Sequence, residues 1–253
     1  MGIISLNYQV KGSRRYELND KPERLTLEDH EVQVWHYDLD VDAELENSLD
    51  SLLSAEEKDR ANRFHFLEHR LRFIARRGIL RRILSQYVDC EPGAIHFKQG
   101  QYGKPYLASP NSTEKIRFSA TSSNNLGGVA ITRCGDVGLD IEQVLPDTDQ
   151  KEIASSQFSQ EEHDWLHQQP AFKHPEAFYK IWTCKEAYLK GKGLGITVSL
   201  KDFSVSIKGE SASLAWSNID PKDTQRWSFH QLATEPGFIG CLAVNPDSPA
   251  QNH

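Results

Sequence analysis

Two carboxylates stand two residues apart in the largely apolar run "GDVGLDIEQV", which extends from Gly135 to Val144. The run predicts a β-strand, and side chains at positions i and i+2 of a strand point to the same face. Asp140 and Glu142 are therefore expected side by side, where their negative charges repel each other. A divalent cation, a basic partner or bulk water could neutralise them, and a plain solvated strand face would need no site at all.

A second group of charged residues lies in "FYKIWTCKEAYLKGKG", which is predicted to be helical. Trp182, Glu186 and Lys190 follow one another at intervals of four and share one helix face. An exposed Glu–Lys pair at this spacing is common and needs no function. Together with Asp140 and Glu142, however, Glu186 completes a set of hard oxygen donors without Cys or His, which suits Mg²⁺ better than zinc.

Magnesium sites often share their ion with substrate phosphates, and phosphates also need cations. The chain offers such cations on two predicted helices and in the segment "YGKP": Arg72, Arg76, Arg77, Arg81, Arg82, Lys104, Lys185 and Lys190. The alternative for the arginine-rich helix is a solvated face with salt bridges to Glu56, Glu57 and Glu68. That alternative accounts for most of the arginines, though not necessarily for Arg72.

The segments around these residues show the patterns of regular secondary structure. The alternation in "EVQVWHYDL" predicts a strand from Glu31, and Ser54 with Glu57 forms a capping box that opens a helix. A long basic helix follows in "HRLRFIARRGILRRILSQY". Strands are predicted near "AIHFKQ", "IRFSA" and "LGGVAITR", and "YGKPYL" is predicted to be a loop.

The second half of the chain repeats this plan. "FSQEEHDWL" parallels "LSAEEKDRA", and Ser159 with Glu162 forms a second capping box. The helix "PEAFYKIWTCKEAYLKGKG" follows, and strands are predicted in "DFSVSIKG", "SFHQLA" and "FIGCLAV". Two copies of a helix-then-strands unit predict an α+β protein of two similar α/β halves, related by a pseudo-two-fold axis with a cleft between them.

Polarity and periodicity divide the chain into four segments. Residues 1–30 are polar and aperiodic and are expected to form an extended or poorly ordered N-terminal lead-in. The N-terminal half is expected at residues 31–135, and the C-terminal half, with the carboxylates and the second long helix, at residues 136–244. Residues 245–253 are expected to form a disordered tail.

Composition argues against several classes of protein. The chain has 253 residues, 38% of them hydrophobic, and a net charge of −7, which is typical of a globular protein and argues against a general binder of polyanions. The four cysteines are scattered and form no C-x-x-C pair, so neither a zinc site nor a disulfide framework is expected. No apolar run approaches the ~20 residues that span a bilayer, and the first residues do not resemble a signal peptide. We therefore expect a cytoplasmic protein that binds no membrane.

The order "RFHFLEHRLRFIARRGILRRIL", "YGKPYL", "RFSATSS", "GLDIE" and "WTCKEAYLK" resembles the 4′-phosphopantetheinyl transferases of the surfactin-synthetase-activating type. The resemblance extends from about Leu53 to about Lys192. Two signature motifs are intact, G-x-D-x-E at Gly138–Glu142 and W-x-x-K-E-x-x-x-K at Trp182–Lys190. The resemblance implies a monomer of two similar α/β halves, with coenzyme A and Mg²⁺ bound in an active site in the cleft between them.

The resemblance also implies roles for individual residues. Asp140, Glu142 and Glu186 would surround the Mg²⁺ that also binds the coenzyme A pyrophosphate. Glu186 is the candidate base for the attacking hydroxyl, and Lys190 would stabilise charge on the departing phosphate. The positions that match the binding of coenzyme A are Arg72, Lys104, Thr121, Ser122, Ser123, Lys185 and Lys190.

The implied reaction moves 4′-phosphopantetheine from coenzyme A to a serine of an apo acyl or peptidyl carrier protein and releases adenosine 3′,5′-bisphosphate. Carrier domains of this kind are usually acidic, and this chain is acidic as well. Docking therefore needs a local apolar or basic surface, which we expect in the loop and helix between residues 144 and 165.

One departure from the family pattern leaves alternatives open. The family reads F-N-x-S-H-S where this chain has "FSATSS", so Ser122 stands in place of a phosphate-binding histidine. A catalytically impaired homologue that only binds carrier or coenzyme A is therefore one alternative. A nucleic-acid-binding module that uses the arginine helix is another, although the net charge argues against it. A metal-dependent nuclease is a third, but Val144 occupies the position where such enzymes often place a lysine.

Overall fold

The computed structural model describes residues 9–17, 24–88, 90–108, 116–146 and 150–248. The expected lead-in at residues 1–30 and the expected tail at residues 245–253 lie partly outside the described residues. Within them, no helix combines the length and hydropathy that crossing a bilayer requires.

The described residues form strands and helices in both halves. The strands are β1 (Gln9–Arg15), β2 (Glu31–Asp38), β3 (Phe97–Gln99), β4 (Pro105–Leu107), β5 (Arg117–Ser123), β6 (Leu126–Thr132), β7 (Asp136–Gln143), β8 (Phe203–Lys208), β9 (Ser211–Ser217), β10 (Ser228–Leu232) and β11 (Phe238–Asn245). The α-helices are α1 (Ala43–Ser51), α2 (Ala55–Ala61), α3 (Leu67–Ser85), α4 (Gln150–Gln157), α5 (Gln160–His167), α6 (His174–Lys192) and α7 (Asp223–Arg226).

The first sheet has the strand order β1-β2-β6-β5. Strand β1 pairs in parallel with β2, and the other neighbours pair antiparallel. The expected lead-in thus contains a strand that its polar sequence, "QVKGSRR", does not reveal by alternation. It is held by backbone pairing and by an ion pair between Lys11 and the buried Glu31, at 2.8 Å.

The second sheet has the order β7-β11-β10-β9-β8 and is antiparallel throughout. The predicted loop "YGKPYL" contains the short strand β4, which pairs with β3 in a separate two-stranded ribbon. Three paired residues are too few to produce a period that the sequence alone would show. At the other end of the chain, Asn245 is still paired with Asp136, so the last strand extends into the expected tail.

Both halves follow the same plan, which confirms the predicted α+β fold of two similar halves. In the first, β2 leads through α2 and the 19-residue α3 to the hairpin β5–β6; in the second, β7 leads through α5 and the 19-residue α6 to β10 and β11. Both predicted capping boxes are present, Ser54 with Glu57 at α2 and Ser159 with Glu162 at α5. In each half the last strand pairs antiparallel with the strand that precedes the helices, β6 with β2 and β11 with β7.

The halves meet through apolar side chains and through a row of hydroxyl groups. A buried cluster draws on both sheets: Val32, Val34, Leu126, Ala130, Val137, Leu139, Ile141, Leu242 and Val244. Beside it, the alternate residues Ser119, Thr121 and Ser123 of β5 hydrogen-bond to β7. Two edge strands, one from each sheet, therefore lie next to each other where the candidate carboxylates are located.

Candidate active site

A close approach between α6 and β7 positions the charged residues of the two signature motifs. A Cβ atom at Gly138 would overlap the carbonyl oxygen of Ala187 and the backbone of Gly191. Gly191 is equally restricted, because a Cβ atom there would lie 2.5 Å from the Trp227 ring. Only glycine at both positions lets the last turns of the helix lie directly on the strand, and α6 then ends at Gly193 with φ 68°.

Asp140 and Lys190 form the centre of the cluster. The Lys190 Nζ lies 2.6 Å from Asp140 Oδ1 and 3.0 Å from the Thr121 hydroxyl, which itself donates to the same carboxylate oxygen at 3.1 Å. Asp140 is almost fully buried, and its second oxygen, Oδ2, has no hydrogen-bond partner among the described residues. A buried carboxylate oxygen without a partner is costly, so this atom points to a missing ligand.

Glu142 and Glu186 complete the acidic cluster. The Ser123 hydroxyl donates to Glu142 Oε2 at 2.6 Å and accepts from the Gln143 N–H at 3.1 Å, which fixes the carboxylate at the end of the strand. Burial and the nearby charge of Asp140 raise the pKa of both glutamates above the ordinary value. Three carboxylates thus compete for a single lysine.

The chemistry of this donor set fits a divalent cation. Three carboxylates against one ammonium leave a surplus of negative charge, and every potential ligand is a hard oxygen. No three His, Cys, Asp or Glu side chains among the described residues already converge on one metal position. We expect that a cation would bring the three groups together.

Ser122 faces away from the carboxylates, toward helix α3. It lies between Thr121 and Ser123 in β5, so strand alternation turns its side chain to the opposite face. There its hydroxyl accepts a hydrogen bond from the Arg76 Nη1 at 3.3 Å. Burial lowers the pKa of Arg76, and its guanidinium stacks 5.5 Å from the Phe73 ring centroid.

Arg76 borders an open groove of about 540 Å³ on the outer side of α3. Arg60, Phe73 and Gly103 also line the groove, and the described contacts give neither Arg60 nor Arg76 a carboxylate partner. An incompletely neutralised cationic groove suits a phosphorylated ligand. The sequence offered Arg76 only as one of several arginines on a basic helix, and nothing in its local pattern set it apart from them.

Other arginines of α3 are neutralised, as the salt-bridge alternative predicted. Glu57, the capping-box residue of α2, pairs with Arg77 and with the buried Arg81, whose Nη2 lies 2.7 Å from Glu57 Oε2. Arg72 is also engaged: it pairs with Asp40 at 2.8 Å and with Glu68 at 2.6 Å. A third contact, to the Asn124 side chain at 2.9 Å, joins Arg72 to the turn between β5 and β6.

Lys104 donates hydrogen bonds to backbone carbonyl groups and is not directed into a cavity. Its Nζ donates to the carbonyl oxygens of Val137 in β7, at 3.0 Å, and Gly191 in α6, at 2.8 Å. Burial lowers the pKa of Lys104 to about 8. The residue therefore ties the β3–β4 ribbon to the C-terminal half in this arrangement, and its predicted contact with nucleotide phosphates would require it to leave these carbonyl groups.

Lys185 does not belong to the cluster, contrary to the expectation from the sequence. Its side chain is fully buried, and its Nζ donates to both Glu162 oxygens, at 2.6 and 2.7 Å, and to the Phe203 carbonyl at 2.8 Å. Five residues separate it from Lys190, which turns the two side chains about 140° apart around the helix. Lys185 is the counterpart of Arg81: in each half, a cation of the long helix pairs with the capping-box glutamate.

Comparison of the chain with known proteins identifies its family. The model of the 4′-phosphopantetheinyl transferase superfamily matches residues 136–241, and the model described as 4′-phosphopantetheinyl transferase, N-terminal, matches residues 41–132. The chain is 35% identical over 227 residues to the 4′-phosphopantetheinyl transferase HetI of Nostoc sp. (strain PCC 7120), covering 88% of this chain and 92% of that protein.

More distant relatives carry the same name. The 4′-phosphopantetheinyl transferase Sfp of Bacillus subtilis (strain 168) is 25% identical over 202 residues, covering 79% of this chain and 85% of its own. The 4′-phosphopantetheinyl transferase gsp of Aneurinibacillus migulanus is 27% identical over 200 residues, with 79% and 75% covered. The family models match both halves of the chain, and both signature motifs are intact and held together by the glycine-dependent contact between β7 and α6. The chain therefore belongs to the 4′-phosphopantetheinyl transferase superfamily and is an enzyme of that class.

Proposed function

We propose that the protein transfers 4′-phosphopantetheine from coenzyme A to a serine hydroxyl of an apo acyl or peptidyl carrier protein, with Mg²⁺, and releases adenosine 3′,5′-bisphosphate. The observation that supports this most directly is the cluster of Asp140, Glu142 and Glu186 around Lys190. We further propose that the enzyme acts as a monomer in the cytoplasm.

Asp140, Glu142 and Glu186 would hold the cation. The unpartnered Oδ2 of Asp140 would be one ligand, since it lacks a hydrogen-bond partner among the described residues. When bound, Mg²⁺ would polarise the pyrophosphate oxygens of coenzyme A and neutralise their charge. Thr121 and Ser123 fix the orientation of Asp140 and Glu142 through their hydroxyls, so we assign these two residues to positioning the carboxylates as well as to the phosphate-binding edge.

Glu186 is the proposed base for the attacking serine. Burial and the charge of Asp140 raise the pKa of Glu186 in the structure, and a bound cation would keep its carboxylate deprotonated and able to accept the proton. The serine oxygen attacks the phosphorus that bears pantetheine, its proton passes to Glu186, and the bond to the bridging oxygen breaks. The departing bisphosphate keeps the electron pair of that bond.

Lys190 is the proposed partner of that departing phosphate. In the structure its ammonium is directed at Asp140 Oδ1, and a cation on the other oxygen of that carboxylate would weaken this ion pair. Lys190 could then donate to the bridging and terminal phosphate oxygens instead. Lys190 would thus move from the Asp140 carboxylate to the substrate phosphate when the cation binds. This movement would link cation binding to the alignment of the pyrophosphate.

The groove along α3 is the proposed site of the nucleotide. Arg60 and Arg76 line it, and Arg76 contacts Ser122, which separates the groove from the carboxylates by the thickness of one strand. Arg72 and Lys104 remain candidates for the nucleotide phosphates, although both are paired within the protein in this structure. Lys185 is withdrawn from the binding set because Glu162 and Phe203 occupy its three donors.

The impaired-homologue alternative depends on the missing histidine, and Arg76 argues against it. A guanidinium next to Ser122 supplies positive charge where the serine cannot. The nucleic-acid alternative loses support too, because Glu57 neutralises two arginines of the helix that would form the track.

Intact-mass measurement of apo carrier proteins tests the proposal. Each carrier is incubated with the protein, coenzyme A and Mg²⁺, and the controls replace Mg²⁺ with a chelator or use Asp140→Ala. The expected result is a mass gain of one phosphopantetheine group that both controls abolish. Absence of any gain on acyl and peptidyl carriers, at coenzyme A concentrations where calorimetry shows binding, would favour the impaired homologue.

A further inference from the structure

A buried carboxylate between β9 and β10 holds the last turn of α6. This carboxylate belongs to Asp223, the first residue of the short helix α7. The Tyr188 hydroxyl donates to Asp223 Oδ2 at 2.5 Å, and Lys192 Nζ donates to the same oxygen at 2.5 Å. Tyr188 and Lys192 are four residues apart and share one face of α6. We call Asp223, Tyr188 and Lys192 the helix anchor.

The helix anchor is a buried polar cluster and not a surface salt bridge. Asp223 is almost fully buried, Tyr188 is fully buried, and Lys192 Nζ lies 5.8 Å from the centroid of the Tyr188 ring. Burial and the hydrogen bond to Asp223 raise the pKa of Tyr188, so its hydroxyl stays protonated and remains a donor. Exposed ion pairs contribute little to stability, whereas the loss of one member of a buried pair leaves its partner uncompensated.

Lys190 lies between the two anchored residues in the sequence but on the opposite face of the helix. At 3.6 residues per turn, it is rotated by about 160° from both Tyr188 and Lys192. On that face, Lys190 Nζ lies 2.6 Å from Asp140 Oδ1. Two carboxylates, Asp223 and Asp140, therefore hold the same turn of α6 from opposite sides.

The backbone of this turn has contacts of a different kind. Gly191 lies against Gly138 of β7 and the Trp227 ring, and Lys104 donates to the Gly191 carbonyl at 2.8 Å. These contacts set the distance between the helix and the strand. The helix anchor holds two side chains of the turn, so it also restricts rotation of the turn about the helix axis.

We propose that Asp223 is a positioning residue for Lys190. Its two bonds fix the rotation of the last turn of α6, and this rotation directs the Lys190 ammonium at Asp140. The inference rests on the proposed function, in which Lys190 stabilises the departing phosphate. It adds a residue that acts on Lys190 through the helix, from the face opposite the carboxylate cluster.

A double-mutant cycle between Asp223 and Lys190 tests the proposal. Asp223→Asn keeps the size of the side chain and removes the charge that holds Lys192. If the Lys190 ammonium then moves away from Asp140, Mn²⁺ should bind more tightly, because the positive charge that opposes it is more distant. We expect Mn²⁺ affinity without coenzyme A to rise about threefold or more, measured by electron paramagnetic resonance, and the transfer rate to fall by about tenfold.

The Lys190→Met background separates positioning from a general loss of structure. In that background, Asp223→Asn should change Mn²⁺ affinity and the remaining transfer rate by less than about twofold, since the side chain that it positions is absent. Equal effects in both backgrounds, or no effect in either, would overturn the proposal. Thermal unfolding shows that each variant is folded at the temperature of measurement. Lys192→Met, which releases one anchored side chain and keeps Asp223, should give the same pattern with smaller changes.

Glu210→Gln is the matched control, because Glu210 also pairs with a lysine of α6. Its partner is Lys180, at 3.6 Å. Lys180 precedes Lys190 by about 15 Å along the helix axis. Mn²⁺ affinity and transfer rate should both equal those of the wild type. If the wild type modifies no carrier, the proposed function fails, while the Mn²⁺ titrations still decide whether Asp223 positions Lys190.

Discussion

Gly138 lies in direct backbone contact with Ala187, and this contact sets the distance between the two signature motifs. A Cβ atom at position 138 would overlap the Ala187 carbonyl oxygen, which is backbone and cannot turn aside. The glycine of the G-x-D-x-E motif is therefore required by the helix of the other motif. Asp140 and Lys190 reach 2.6 Å from each other as a consequence.

Gly138→Ala should lower both stability and transfer activity. Overpacking of this kind costs about 1–3 kcal/mol of unfolding free energy, and α6 must move away from β7, which separates Lys190 from Asp140. Denaturant unfolding and transfer rates measure the two effects. Gly93→Ala is the control, because a Cβ atom there meets nothing within 4 Å. Equal stability of the two variants would contradict the packing argument.

Lys190→Met should separate cation binding from turnover. In the structure Lys190 pairs with Asp140 Oδ1, so its positive charge opposes the binding of a cation at the other oxygen of that carboxylate. Without the lysine we expect tighter binding of Mn²⁺ in the absence of coenzyme A, and a transfer rate lower by about 10²-fold. Titration followed by electron paramagnetic resonance measures the first quantity and intact mass the second. Weaker Mn²⁺ binding in this variant would show that Lys190 supports the cation rather than competing with it.

Stability and cation affinity should respond to pH in opposite directions. The pKa values of Glu142 and Glu186 are raised, so the folded protein holds protons that the unfolded chain has already released. Without a cation, the contribution of these two groups to the free energy of unfolding should therefore fall as the pH rises through the raised pKa values. Mg²⁺ affinity should increase over the same range, because the carboxylates must lose their protons to bind it.

Thermal unfolding across pH, with and without Mg²⁺, measures both trends. Glu142→Gln removes one of the two titrating groups, so the loss of stability with rising pH should become smaller in that variant. The same pH dependence of stability in the wild type and in Glu142→Gln would mean that the pKa of Glu142 is not raised in the folded protein.

Lys185→Met should affect folding and leave coenzyme A binding intact. Removal of one partner leaves Glu162 buried without a counter-ion, which costs roughly 3–5 kcal/mol. Denaturant unfolding should detect this loss, and the double variant Lys185→Met/Glu162→Met should recover part of it. A large loss of coenzyme A affinity with unchanged stability would restore Lys185 to the binding set.

Arg76→Gln should weaken coenzyme A binding, because it removes the charge next to Ser122. A hydrogen bond to a charged group contributes about 1.5–3 kcal/mol, so calorimetry should show a loss of about tenfold or more in affinity. Arg82→Gln, on the same helix but outside the groove, is the control. Ser122→His in the Arg76→Gln background should restore part of the affinity at mildly acidic pH. No difference between the two arginine variants would leave the groove without a role in binding.

Local patterns predicted much of this molecule. Capping boxes, strand alternation and the repeat of helix and strands are short-range properties, so they identified the two halves and the placement of Asp140 and Glu142 on one strand face. The resemblance to the family grouped Thr121, Ser122 and Ser123 at the coenzyme A site, whereas strand alternation in the structure turns Ser122 to the opposite face. The polar strand Gln9–Arg15 carried no such pattern, because its place is fixed by pairing with a distant strand.

The sequence by itself determined the family, the two-half plan and the identity of the three carboxylates and Lys190. Only the tertiary structure decided which cations are free to act. Spacing along α6 separates Lys185 from Lys190, but which of them meets a buried glutamate and which meets Asp140 depends on how the helix packs. The same holds for Arg76 and Lys104, since a side chain's partners are set by contacts between residues far apart in the chain, and those contacts leave no periodic signal in the sequence.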